Sequence, residues 1–273
     1  MGTAFGLRAS ALGHSVFGLR RTPGPLPAPI ETLTWDLQSG PPPLPAHLDA
    51  VVYATGPGSA AEAAYRAAYV GGFEQLVRGL GRAGARPARL LFVSSTGVFS
   101  QADGAWIDES SPAVPASAAL AALLEGERRA QGEGATVLRF GGIYGPGRAG
   151  LVERVRAGAA RLPPTPTYTN RIHRDDCAGV LLHLMTLPAP ERLYLGVDRA
   201  PADQREVLSW IADQLGCAVP AVGEAADPHR APGSKRCSSD RLLGSGYTFS
   251  YPSYREGYAP LVADALAGQG AGR

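Results

Sequence analysis

The chain has 273 residues, 45% of them hydrophobic and 18% charged, a balance that excludes disorder as the main state and leaves ample length for a real core. Its 26 basic and 24 acidic residues give a net charge of +2, too even for a nucleic-acid-binding or polybasic membrane surface. Lys235 is the only lysine among those basic residues, so chemistry that needs a lysine has one candidate.

Over the first 140 residues, short β-branched or aromatic runs alternate with longer helical patterns. The order is helix Thr3–Leu12, strands Ser15–Leu19, Thr32–Leu37 and Ala50–Ala54, helix Ala60–Leu80, strand Leu90–Ser94, helix Ala116–Ala130 and strand Ala135–Arg139. Gly13 is placed to stop the first helix, and the proline runs Pro23–Pro29 and Pro41–Pro45 read as loops. Such alternation predicts a doubly wound, Rossmann-like α/β fold: a parallel sheet with helices on both faces. After Tyr144-Gly145-Pro146-Gly147 the texture changes. Helices are expected over Gly150–Arg161, Asp175–Leu187, Asp203–Leu215 and Ser253–Ala267, with strands near Tyr168–Ile172 and Leu193–Val197 and a weakly structured loop over Gly223–Gly233. This divides the chain into a dinucleotide-binding domain, 1–148, and a small C-terminal substrate lobe, 149–273, resting on the sheet without a core of its own.

A dinucleotide fold normally opens on a buried strand, a glycine-rich turn and a helix. Here helix-like sequence begins at once, and Gly2 and Gly6 look like the last glycines of a phosphate-binding turn whose strand is missing. A start codon placed too late is the favoured explanation, because losing that strand would expose ladder groups of two neighbours. Ser15–Leu19 and Ala50–Ala54 should then flank a gap or close over it. Arg20 and Arg21 stand at the end of the second expected strand, where an acidic residue would hold a ribose hydroxyl and arginine a 2′-phosphate, which points to NADP over NAD. The alternative is a solvated pair in an arginine-rich chain.

Cys177, Cys217 and Cys237 are odd in number and include no Cys-x-x-Cys pair, which argues for reduced thiols rather than a disulfide frame or a metal site. The longest apolar stretches, Ala118–Leu124 and Cys177–Leu187, fall short of the ~20 residues that span a bilayer. Met1–Phe5 lacks the pattern of a signal peptide. A cytoplasmic protein with no membrane partner is expected.

Several segments in register carry a family resemblance. Leu91-Phe92-Val93-Ser94-Ser95-Thr96-Gly97-Val98-Phe99 resembles the Ser-Ser-x-x-Val-Tyr-Gly segment of extended short-chain dehydrogenases/reductases, the relatives of nucleotide-sugar epimerases and dehydratases. Asp108-Glu109-Ser110-Ser111-Pro112 is similar to their Asp-Glu-x-x-Pro loop, and Leu138-Arg139 through Tyr144-Gly145-Pro146-Gly147 to their Leu-Arg…Tyr-Gly-Pro-Gly segment. Ile172-His173-Arg174-Asp175-Asp176 is similar to Ile-His-Val-Asp-Asp. Lys235-Arg236-Cys237 and Tyr251-Pro252-Ser253-Tyr254-Arg255-Glu256-Gly257 resemble the closing pattern of an atypical bacterial branch.

The resemblance implies an NAD(P) cofactor. It implies that Thr55 and Gly56 pass under the adenosine ribose, and that Ser94, Phe140, Gly141 and Gly142 lie beside the nicotinamide. Ser95, with Thr96 as its neighbour, takes the place of the substrate-orienting hydroxyl. The family's Tyr-x-x-x-Lys pair is absent: the places it would occupy are Ala119 and Leu123, and no other register supplies it. Tyr144 is the candidate substitute acid, the alternative being a packing residue with a satisfied hydroxyl. His173 through Asp176 reads as a strand-to-helix junction capped by Asp175 or Asp176, and Glu125, Glu127, Arg128 and Arg129 as a solvated helix face. Two functions stay open: an NAD(P)-dependent epimerase-like oxidoreductase acting on a small polar or carbonyl compound, and a non-catalytic dinucleotide-binding sensor or scaffold.

Overall fold

The Ala-, Leu- and Arg-rich opening forms helix α1 (Gly2–Ala11), and the chain leaves it through Gly13, whose φ of +90° strains any other residue. The computed structural model describes residues 1–223 and 233–270, so the loop expected over Gly223–Gly233 lies, apart from its two end residues, outside the described residues. Strands β1 (Phe17–Arg20), β2 (Glu31–Thr34) and β3 (Ala50–Tyr53) precede helix α2 (Glu62–Tyr65), a π-helical segment over Arg66–Gly71 and helix α3 (Gly72–Ala83). Next come β4 (Arg89–Ser95), β5 (Ala105–Ile107), α4 (Ala118–Gly132), β6 (Thr136–Phe140), β7 (Gly142–Tyr144) and α5 (Gly150–Arg156). The remainder is β8 (Tyr168–Thr169), β9 (Arg171–His173), α6 (Arg174–Thr186), β10 (Leu193–Gly196), β11 (Ala202–Asp203) and α7 (Gln204–Leu215). Strand β12 (Lys235–Cys237) and helices α8 (Asp240–Gly244) and α9 (Tyr254–Gly270) close the chain.

Two units interleave along the sequence. The first takes Met1–Ser100, Pro112–Arg139 and Cys177–Tyr194; the second takes Gln101–Ser111, Phe140–Asp176 and the chain from Leu195 onward.

The first unit is α/β. β3 and β4 pair in parallel, Tyr53 opposite Phe92, within a sheet ordered β10-β6-β4-β3. β1 and β2 form a separate parallel pair, Phe17 opposite Glu31. β1 and β3, the two strands expected to flank a gap, thus stand in different sheets, and no ladder joins them among the described residues. Tyr53 stacks on Phe92 at 5.5 Å, and Phe73 meets both rings edge-on at 5.4 Å. Leu91, Leu123, Val137 and Leu138 are buried as well.

The helix expected over Ala60–Leu80 is divided by the π-helical segment, and its carbonyls show why. Ala68 O accepts from the Tyr53 hydroxyl at 2.5 Å and Ala67 O from Gln38 Nε2 at 3.0 Å. A methyl on Gly126 would come within 2.5 Å of Tyr69 O, so α4 rides directly on this stretch of backbone. These partners come from distant parts of the sequence and compensate the irregular ladder.

The second unit holds three short pairings: β7 with β9 in parallel, β5 with β12 in parallel, and β8 with β11 antiparallel. It also has an apolar cluster that the sequence does not foreshadow, built from Val152, Val155, Val207, Ile211, Leu261 and Val262 among others. The valines and isoleucine of α5 and α7 face the leucine and valine of α9, a match visible only once the helices are assembled.

Candidate functional site

In the first unit, the residues expected to meet a dinucleotide lie at the beginning of α1 and at the C-terminal ends of strands. Gly2 and Gly6 both lie inside α1 rather than in a turn. Gly6 is buried, and a Cβ there would stand 2.7 Å from Ile30 Cδ1, so glycine lets the helix pack closely on the chain leading into β2. Space around Gly2 is open, and no side chain caps the helix there. Arg20 ends β1 and Arg21 follows it in an exposed position. No hydrogen bond or ion pair engages either guanidinium among the described residues. Thr55 and Gly56 lie in the exposed loop after β3, with open space over Gly56.

β4 delivers Ser94, Ser95 and Thr96. The buried Ser94 hydroxyl donates to Glu127 Oε1 at 2.5 Å, and Glu127 takes a forked pair of bonds from Arg139, whose guanidinium lies 4.8 Å from the Phe99 ring centre. Ser94 is therefore committed to a buried ion pair. Glu127 is 2% exposed, which corrects the solvated-face reading for that residue. Glu125 and Arg129 do lie in a surface network with Arg66 and Glu74. Half-buried Ser95 ends the strand, and its Oγ accepts from Gly97 N at 3.0 Å, starting a 3-10 turn over Thr96–Val98. Thr96 is buried. On α4, Ala119 is half-buried and Leu123 buried, with no proton-transfer group at either place.

The second unit contains the other expected residues. Phe140 is buried, and Gly141 and Gly142 make a close approach to the backbone of Asn170: Gly142 N donates to Asn170 O at 2.9 Å, and a Cβ on Gly141 would sit 3.0 Å from that oxygen. Tyr144 is buried, stacks on Tyr258 at 4.3 Å, meets His173 edge-on at 5.4 Å and reaches Ser253 O at 3.4 Å. Burial, reinforced by the negative charge of Asp198, drives its hydroxyl well above the usual tyrosine range, opposite to what a general acid needs. Tyr144 is thus enclosed by Tyr258, His173 and the Ser253 carbonyl. Lys235 is buried on β12, and burial lowers its pKa.

The capping expectation at the β9–α6 junction is also corrected. His173 Nδ1 accepts from Asp175 N at 3.2 Å, so the imidazole fills the capping place. Fully buried Asp176 instead accepts from the Tyr247 hydroxyl and from the backbone of Ser250 and Tyr251, pinning that segment. A helix-start Asp is ambiguous in sequence because the long-range donors that claim it are invisible there.

No protein-family model matches the chain, and no curated protein matches it. Solved structures do. A Methylobacillus flagellatus protein assigned to the NAD-dependent epimerases/dehydratases is 34% identical, with a TM-score of 0.79 over 97% of this chain and 94% of its own. The chain belongs to the NAD-dependent epimerase/dehydratase family. Human epimerase family protein SDR39U1 (isoform 2), solved with NADPH, is 20% identical, with a TM-score of 0.78 over 96% of each chain. Thermus thermophilus UDP-glucose 4-epimerase, solved with NAD, is 20% identical, with a TM-score of 0.76 over 98% of this chain and 96% of its own. These two share the fold.

Helix α4 of this epimerase/dehydratase-family chain carries neither tyrosine nor lysine. The strand ends still fit a dinucleotide: uncommitted guanidinium groups at β1, open backbone at Gly56 and a half-buried hydroxyl at Ser95. Among the described residues no group of His, Cys, Asp or Glu could hold a metal ion, and no helix is long and apolar enough to cross a membrane. Sequence reasoning missed Asp198, a carboxylate 1% exposed whose Oδ2 has no hydrogen-bond partner. Burial raises its pKa to about 7. An aspartate just after a short strand gives no local sign of such burial.

Proposed function

We propose that this epimerase/dehydratase-family chain binds NADP in preference to NAD, and that it turns over small polar or carbonyl compounds weakly or not at all. The observation that carries the cofactor reading is the end of β1, where Arg20 and Arg21 have no competing partner among the described residues. Two guanidinium groups there can make charge-assisted, forked bonds to an adenosine 2′-phosphate, and no carboxylate follows β1 to take a ribose hydroxyl. The first N–H groups of α1 are available for the pyrophosphate.

A bound nicotinamide would supply or accept a hydride. The chain's residues would hold the substrate and move the accompanying proton. Ser95 is suited to holding the substrate, since its oxygen accepts from Gly97 N while its own hydrogen remains able to bond a substrate oxygen. For moving the proton, Ala119 and Leu123 offer nothing and Tyr144 is shifted the wrong way. Without general acid–base help, typically worth ~10²–10⁴ in rate, turnover falls by about that factor. The same two positions favour a second reading, a dinucleotide-binding sensor or scaffold.

Screening sugar nucleotides and simple carbonyl compounds with NADPH separates the two. Slow turnover that drops further in Ser95→Ala, with NADPH affinity nearly unchanged, supports the enzyme. Tight NADPH binding without turnover of any compound supports the scaffold. Robust turnover that survives Ser95→Ala contradicts the assignment of Ser95.

A further inference from the structure

In the second unit, β5 and β12 set Trp106 opposite Arg236. The Arg236 guanidinium lies 5.2 Å from the Trp106 ring centre and 4.6 Å from that of Tyr168, so two aromatic rings stand close to it. Its Nε donates to Gly104 O at 2.8 Å. The backbone beneath is clamped as well. Asn170 Nδ2 donates to Lys235 O at 3.0 Å, Cys237 N donates to Asn170 Oδ1 at 2.7 Å, and Gly104 N donates to Ser234 O at 2.6 Å.

Strand, Nε and ring contacts are thus all fixed, yet the two terminal nitrogens of Arg236 bond to nothing among the described residues. Arg236 itself is half-buried. Trp106 beside it is 59% exposed, an uncommon state for a residue of its size. A stacked, hydrogen-bonded guanidinium has lost most of the rotamer freedom that a ligand would otherwise have to freeze. What it still presents is two parallel N–H donors beside an aromatic face, the arrangement that matches two oxygens of one anion.

We propose that Arg236, held against Trp106 and Tyr168, is a binding site for a compact oxyanion, the phosphate or carboxylate group of a small-molecule ligand. The site lies wholly in the second unit and does not depend on the dinucleotide reading, which rests on Arg20 and Arg21 in the first.

The test follows the Trp106 indole N–H resonance, identified by its loss in Trp106→Phe, in the full chain during titration with inorganic phosphate and separately with malonate. A saturable shift at millimolar concentrations is expected from at least one of them. Tighter phosphate identifies a phosphate-bearing ligand and tighter malonate a carboxylate-bearing one. Arg236→Gln should abolish the shift, and Arg236→Lys, which keeps the charge but not the fork, should weaken binding about tenfold or more. Arg20→Ala with Arg21→Ala should leave it unchanged. An unmoved resonance with both anions, or the parent's response persisting in a folded Arg236→Gln or Arg236→Lys protein, overturns the proposal.

Discussion

Arg139 Nη2 lies 2.6 Å from Glu127 Oε2 and its Nε lies 3.0 Å from Oε1, a forked ion pair in the interior of the first unit. It ties the end of β6 to the middle of α4, and Ser94 on β4 completes the ring of donors. Breaking such a pair costs more than replacing it, because the survivor is left charged and buried. Arg139→Leu should therefore destabilise the chain by about 3–5 kcal/mol. Joint replacement with Glu127→Leu should recover much of that loss. Urea unfolding of the single and double variants checks this, and equal losses in both would contradict it.

Asp198 predicts a pH dependence with a definite sign. Its carboxyl has an ordinary value of 3.8 and is raised to about 7 by burial. Between those values the folded chain keeps a proton that the unfolded chain has released, so this group's contribution to stability falls as pH rises and levels off above about 7. Asp198→Asn retains an oxygen for the Ala200 N–H and removes the titration. Relative to the parent, the variant should gain stability steadily across that window. Unfolding midpoints measured through the window would show it; a difference that stays flat would mean that the carboxyl is not held protonated.

Gly257 on α9 faces the Tyr144 ring, and a methyl group there would run into the ring and its hydroxyl. Because Tyr144 is buried and stacked on Tyr258, it has nowhere simple to go. Gly257→Ala should cost roughly 1–3 kcal/mol through overpacking, although alanine is the better helix former. Thermal unfolding decides the sign, and a stabilised variant would contradict the packing described for Tyr144.

Alternating strands and helices make much of the first unit legible in the sequence, because period and caps are local properties. Gly13 and the Phe17–Arg20 and Arg89–Ser95 strands are examples. Strands β5 and β12 are not legible. Each has three residues, and each exists only because Trp106 and Arg236, remote in sequence, come opposite one another. At the candidate site, the missing Tyr-x-x-x-Lys pair is an absence that can be read directly. Which hydroxyls are already committed cannot be read that way: Ser94 and Ser95 are neighbours of the same type, yet Glu127 claims one and Gly97 N the other. The helix position of Glu127 suggests solvent, and only the facing Arg139 explains its burial.

The most direct test of the proposed function compares the affinities of the chain for NADPH and NADH by fluorescence titration, alongside a variant carrying Arg20→Ala and Arg21→Ala. If the guanidinium groups after β1 receive the 2′-phosphate, the parent binds NADPH at least tenfold more tightly, about 1.4 kcal/mol, and the variant loses most of that preference while keeping its NADH affinity. Equal affinities for the two cofactors in the parent, or a preference that the double replacement leaves intact, would contradict it.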